Sequence, residues 1–310
     1  ISLCTLAAIN WGNIKTTRDF ERVCRLAVRA LDELLDYQNY PVKAAERSTM
    51  HRRPLGVGIV NFAYWLAKND LNYQDIDTKG LELVDEWAEA WSYNLIKASA
   101  DLALEKGVIS GNEETKYGKG ITPNQTYKKD LDELVKHKER QDWKGLRKQL
   151  KETGIRNSTL MALMPAETSA QISNSTNGIE PPRSLVSIKQ SKHGVLKQVV
   201  PEFRRLQNKY DLLWDQQSPE GYLKIMAVLQ KYIDQGISVN TSYNPQFYED
   251  EKIPMSVMIQ HLLMFYKYGG KQLYYFNTFD GQGELDANKL NEEPLAPGLT
   301  DDEDCDSCKI

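Results

Sequence analysis

In the second half of this chain, short β-rich runs alternate with helix-length patterned stretches. Gly194 to Val200 reads as a strand ended by Pro201, Ile237 to Ser242 as a β-rich run after Gly236, and Gln272 to Thr278 as a strand after Gly269-Gly270. A helix that begins at Pro219 and runs to about Asp234 precedes the second of these, and another from about Met255 to Tyr268 precedes the third. This alternation predicts an α/β fold built on a parallel layer or barrel.

The first half predicts the same class. Ile1 to Asn10 reads as a buried strand of the continuous apolar type, ended by Trp11-Gly12-Asn13. Thr17 then serves as the expected N-cap of a helix with Phe20, Cys24, Ala27, Leu31, Leu34 and Leu35 on one face, which makes Cys24 an inert core thiol. A second helical stretch is expected from Val57 to Lys68. A longer one spans about Leu81 to Lys106, with Trp87, Trp91, Leu95, Ala98 and Leu102 on one stripe and Gly107 as its stop. Residues 113–152 are highly charged and lysine-rich, which predicts solvated helices and loops of a surface subdomain within a folded region of 1–290. The last twenty residues, 291–310, carry two prolines, a glycine and an acidic cluster, and are expected to form a mobile tail without a core.

Composition narrows the function. A chain of 310 residues that is 41% hydrophobic and 26% charged can bury one large core or two smaller ones. Its net charge of −4 argues against a DNA-binding surface, so any nucleotide partner should be small. No apolar run is long enough for a membrane span, and four cysteines are too few for a disulfide scaffold, so a cytoplasmic, reducing setting is expected. The chain begins at Ile1 inside a strand-like segment, which reads as the middle of a domain or as a processed N-terminus.

Three motifs have the residue types for chemistry. Cys305 and Cys308 stand three positions apart at the C-terminus. The four histidines show no ligand spacing that would complete a zinc site with them, and their acidic, non-helical setting is unlike that of a thiol-lowering CxxC. A travelling dithiol remains, one that reduces a buried site and is itself re-reduced outside. The second motif lies in the run Asn157 to Ala170, where Pro165 stands at a favoured first helical position and Thr168 and Ser169 fall in the first turn. Free N–H groups there could cradle an anion, although an ordinary capped helix looks similar. In the third, Tyr274-Tyr275, successive strand residues point to opposite faces, which allows sheet packing or a relay of oxidising equivalents.

Trp143, Leu146, Gly154-Ile155-Arg156-Asn157 and Ala162 to Pro165 together resemble the large-subunit signature of class I ribonucleotide reductases, nearest the bacterial and phage class Ia branch. LCTL at Leu3 to Leu6, RRPLGVGIVNFAYWLAK at Arg52 to Lys68, SNSTNGIEPPR at Ser173 to Arg183, YYFNT and the terminal dithiol follow in the family's order. The resemblance implies the C-terminal portion of a ten-stranded α/β barrel made of two parallel five-strand halves around a finger loop with a thiyl-forming cysteine. It implies that Cys4 is one of two barrel cysteines oxidised as substrate is reduced. It also implies that Pro165, Ala166, Glu167, Thr168 and Ser169 bind the substrate diphosphate, with Ala166 in place of the usual serine. Tyr274 and Tyr275 then correspond to the radical-relay pair, and Cys305 and Cys308 to the shuttle reduced by thioredoxin or glutaredoxin.

The resemblance likewise implies a ribonucleoside diphosphate as substrate and a separate small subunit whose diiron-tyrosyl radical starts the reaction. No Asn-Leu-Cys-x-Glu stretch, which carries the thiyl cysteine in the family, occurs in these 310 residues. An upstream large-subunit piece is therefore an expected partner, and the chain alone should not reduce a nucleotide. A scaffold that keeps the fold without the chemistry is the rival reading, and retention of Cys4, both tyrosines and the terminal dithiol speaks against it.

Overall fold

The computed structural model describes residues 1, 3–191 and 194–280. Its elements in chain order are β1 (Thr5–Asn10), α1 (Phe20–Tyr37), α2 (Lys43–Arg52), β2 (Leu55–Val60), α3 (Phe62–Lys68) and α4 (Thr78–Lys106). There follow α5 (Trp143–Thr153), α6 (Glu167–Ile172), β3 (Val186–Ser191), β4 (Gly194–Val199), α7 (Phe203–Leu206), α8 (Glu220–Gln230), β5 (Thr241–Tyr243), α9 (Met255–Lys267) and β6 (Phe276–Thr278).

Five extended segments lie side by side and parallel. β1 pairs with β2 from Thr5↔Leu55 to Asn10↔Val60. Val57 bridges to Met161, Leu163 bridges to Ile237, and β5 pairs with β6 from Thr241↔Phe276 to Tyr243↔Thr278. Helices carry the chain from each segment to the next, as a parallel layer requires. The result is a partial α/β barrel that does not close within this chain. β3 and β4 form a separate antiparallel hairpin.

The long helix α4 is the spine of the core. Asp77 caps it by accepting from Gly80 N at 2.7 Å, and Gly107 ends it at φ 86°, where a side chain would be strained. Trp87, Trp91, Leu95, Ala98 and Leu102 are all buried, as the helical stripe predicts. Trp87 and Trp91 meet Trp11 at ring separations of 5.8 and 6.2 Å, and Trp65 stands 5.0 Å from Trp87. Cys24 is fully buried in this core, and burial pushes its thiol well up. The charged region 113–152 also contributes to the core, through Leu131, Val135, Trp143, Leu146 and Leu150.

Several local expectations change. Val57 to Lys68 is not one helix: β2 runs through Val60, Asn61 turns the chain at φ 65°, and only then does α3 begin. Every residue of Leu-Gly-Val-Gly-Ile-Val is buried between two parallel neighbours, and that two-sided burial overrides the helical pattern. β1 starts at Thr5 and is only partly buried, with Leu6 51% exposed. Among the described residues it pairs with β2 alone. Thr16, one residue before the expected cap, forms the capping box with Asp19 ahead of α1, and Leu34 on the expected face of that helix is exposed.

Candidate active site

Cys4 lies just ahead of β1, at the N-terminal ends of the strands. Gln235 ties three of those ends together, donating through Nε2 to Leu55 O at 2.8 Å and to Met161 O at 3.2 Å. With its nitrogen held in this way, the amide oxygen of Gln235 faces the Cys4 thiol, at 3.9 Å from Sγ. Asp234 accepts from the backbone N–H groups of Leu160 and Met161 at 2.8 and 2.9 Å and from the Tyr117 hydroxyl at 2.7 Å. Gly56 makes room for the thiol, since a Cβ there would lie 2.9 Å from Cys4 Sγ and 2.5 Å from Leu6 Cδ2.

Cys4 also lines a cavity of about 600 Å³, together with Tyr117, Lys128, Asp234, Gln235 and Tyr266. Desolvation by the surrounding wall, and next the Asp234 carboxylate, push the Cys4 thiol up to about 11. At neutral pH the sulfur therefore keeps its hydrogen. Alkylation of Cys4 by iodoacetamide, followed by peptide mass spectrometry, should rise with pH well beyond 9, because only the thiolate reacts. A rate that levels off near pH 8.5, as for a free thiol, would contradict this environment.

The other ends of the strands hold a second polar cluster. Asn10 donates to Ser175 Oγ at 2.8 Å, Asn61 donates to Asn10 Oδ1 at 2.9 Å, and Thr176 N donates to Asn61 Oδ1 at 3.0 Å. This network fixes the loop after α6 against β1 and β2. Asn177 in the same loop accepts from Ala166 N at 3.3 Å. Pro165, Glu167, Thr168 and Ser169 are exposed while Ala166 is buried, so the turn into α6 presents its polar residues outward. Among the described residues, no acceptor meets the backbone N–H of Thr168 or Ser169. Cys4 lies beside Gly56 and Ala166 packs against Val60, so the thiol and the 165–169 turn border the same strand, β2, at two levels.

Tyr274 and Tyr275 precede β6 and do not diverge to opposite faces as regular strand residues would. Their ring centroids are 4.2 Å apart with planes at 49°, and the residues are 44% and 46% exposed. Tyr274 N donates to Val239 O at 2.7 Å, and Tyr275 N donates to the side chain of Asn240 at 3.0 Å. Thr241 N donates to Tyr275 O, so both residues bond towards the 239–241 segment and regular alternation is broken at the pair. Cys305 and Cys308 lie outside the described residues.

Sequence reasoning missed Asp234 and Gln235. A signal was present, because the pair sits directly before the β-rich run beginning at Ile237, just as Cys4 sits before β1. Among the described residues no group of three or more His, Cys, Asp or Glu side chains could hold a metal ion, and no helix is long and apolar enough to cross a membrane.

The family model for the ribonucleotide reductase barrel domain matches residues 1–276. The chain belongs to that family. It is 55% identical over 285 residues to the ribonucleoside-diphosphate reductase subunit alpha of Haemophilus influenzae, which covers 92% of this chain and 37% of that protein. Subunit alpha of Escherichia coli reductase 1 is 49% identical, over 89% of this chain and 35% of its own length. The phage T4 subunit alpha is 44% identical over 100% of this chain and 40% of its own. The chain thus spans well under half the length of these reductase subunits, and the five-segment layer is part of their shared barrel.

Proposed function

We propose that this chain acts as part of the large subunit of a ribonucleoside-diphosphate reductase and supplies one of its two reducing thiols, Cys4. The observation that carries the reading is the position of the Cys4 thiol, held against Gly56 at the wall of a cavity. Replacing a ribose 2′-hydroxyl by hydrogen consumes two thiols and yields one disulfide and one water. Cys4 gives one thiol, and the remainder of the large subunit gives the other. A thiol that keeps its hydrogen at neutral pH suits this donation better than a thiolate.

The turn at Pro165, Ala166, Glu167, Thr168 and Ser169 holds the substrate diphosphate in this reading, chiefly through backbone N–H groups, so Ala166 serves as well as serine would. A diiron-tyrosyl centre in a separate small subunit supplies the oxidising equivalent. Tyr274 and Tyr275, in ring contact and open to a partner, pass it inward by each giving up and regaining a phenolic hydrogen. Cys305 and Cys308 reduce the disulfide that includes Cys4 and are re-reduced by thioredoxin or glutaredoxin by thiol–disulfide exchange. Such free-thiol chemistry belongs in a reducing, cytoplasmic setting.

In the assembled enzyme, Cys305→Ser combined with Cys308→Ser should block thioredoxin-driven turnover while dithiothreitol still supports it, because a small dithiol reaches Cys4 directly. Equal loss with both reductants would remove the shuttle role.

A further inference from the structure

Tyr274 and Tyr275 sit at a break in the ladder that leads into β5 and β6. Tyr274 N donates to Val239 O at 2.7 Å, and Thr241 N donates to Tyr275 O at 2.9 Å. In an unbroken parallel ladder the second bond is accompanied by one to Val239 O from the N–H of Tyr275, not of Tyr274. Two residues therefore stand opposite Asn240, which is a β-bulge. The bulge leaves Tyr275 N without a ladder acceptor, and Asn240 supplies one from its side chain, Oδ1, at 3.0 Å.

Asn240 is itself oriented from its far side, where Nδ2 donates to Glu180 Oε1 at 2.6 Å. An ionised carboxylate only accepts, so it bonds the amide through Nδ2 and leaves Oδ1 for Tyr275. Burial pushes the Glu180 carboxyl up, and the bond from Asn240 opposes this. The loop that carries Glu180 is pinned. Phe62 N donates to Gly178 O at 3.3 Å, the buried Tyr73 hydroxyl donates to Ile179 O at 2.8 Å, and Pro181-Pro182 restrict the backbone just beyond. A fixed loop, one carboxylate and one amide thus lead in sequence to the backbone of Tyr275.

Resting on the reading of Tyr275 as a member of the radical relay, we propose that Glu180 and Asn240 are positioning residues for that relay. Glu180 fixes the Asn240 amide, Asn240 caps the bulge at Tyr275, and the bulge holds the two phenol rings in contact at 4.2 Å. Transfer between the rings depends steeply on their separation, so a loosened bulge slows turnover without touching substrate.

The test exchanges the two side-chain chemistries. Asn240→Asp keeps an oxygen for Tyr275 N but sets a second carboxylate against Glu180, and adding Glu180→Gln supplies an amide that donates to it. In the assembled enzyme, kcat and KM for a ribonucleoside diphosphate are measured for Asn240→Asp, for the double variant and for Tyr275→Phe, with melting temperatures alongside. We expect Asn240→Asp to lower kcat about tenfold at unchanged KM, and the double variant to return to within about threefold of wild type. Should Asn240→Asp fail to fold, Glu180→Ala, at a partly exposed position, carries the same expectation of a lowered kcat at unchanged KM. An undiminished kcat, or no recovery in the double variant, while Tyr275→Phe is inactive would overturn the positioning pair and leave the relay standing. Full turnover by Tyr275→Phe would overturn both.

Discussion

Replacing either Tyr274 or Tyr275 with phenylalanine is expected to reduce nucleotide turnover in the assembled enzyme to background. Each change removes one phenolic oxygen and keeps the ring, and both rings are almost half exposed, so packing loses little. The pair stays in contact at 4.2 Å. Phenylalanine, however, has no phenolic hydrogen to give up and is far harder to oxidise. Substrate binding and thermal stability should therefore remain near wild type while product formation stops. Substantial turnover in either variant would remove the relay role from that residue. Normal activity in both would mark the pair as ordinary surface packing.

A comparably large effect, this time on stability, is expected at Asp32. This fully buried carboxylate on α1 accepts from Arg53 Nε at 2.6 Å, from Arg156 Nε at 3.2 Å and from Asn157 Nδ2 at 3.1 Å. Arg53 is itself nearly buried and also binds Asp36 through both terminal nitrogens at 2.8 Å. Asp32→Ala strands Arg53 with one of its two acids gone, and breaking a buried pair in this way costs about 3–5 kcal/mol. The melting temperature should fall on the order of 10 °C. A fall of only a degree or two would show that Asp36 and Arg156 rearrange to absorb the loss.

That knot also explains what the sequence made legible. Arg53 from RRPLG and Arg156-Asn157 from GIRN belong to the stretches that carry the family resemblance, and both converge on Asp32 rather than on the cavity. They clamp the approaches to β2 and to the 160–163 segment onto α1, so a signature found for its reductase likeness is in this chain a structural device. The α/β class could be read because helix stripes such as Trp87 to Leu102 follow the period that burial imposes. β2 could not, because LGVGIV runs into NFAYWLAK without a polar break, and only two-sided burial between parallel strands separates strand from helix. Cys4 was found by resemblance. Its partners Asp234 and Gln235 come from about 230 residues away, and no local pattern ties a residue before one strand to a residue before another until the layer is assembled. The tyrosine pair was found too, but its ring contact comes with a departure from regular strand geometry at 274–275, which strand periodicity does not anticipate.

If Cys4, the 165–169 turn and the tyrosine pair belong to one reductase site completed by another polypeptide stretch, conversion of a ribonucleoside diphosphate to its deoxy form should require all of these parts. The purified chain would be mixed with the remaining large-subunit sequence as a separate polypeptide, a radical-bearing small subunit and dithiothreitol. Product is expected from the full mixture and none from the chain alone, since its 310 residues contain no Asn-Leu-Cys-x-Glu stretch. Product should be lost with Cys4→Ser. Turnover by the chain alone, or undiminished turnover in the mixture with Cys4→Ser, would contradict it.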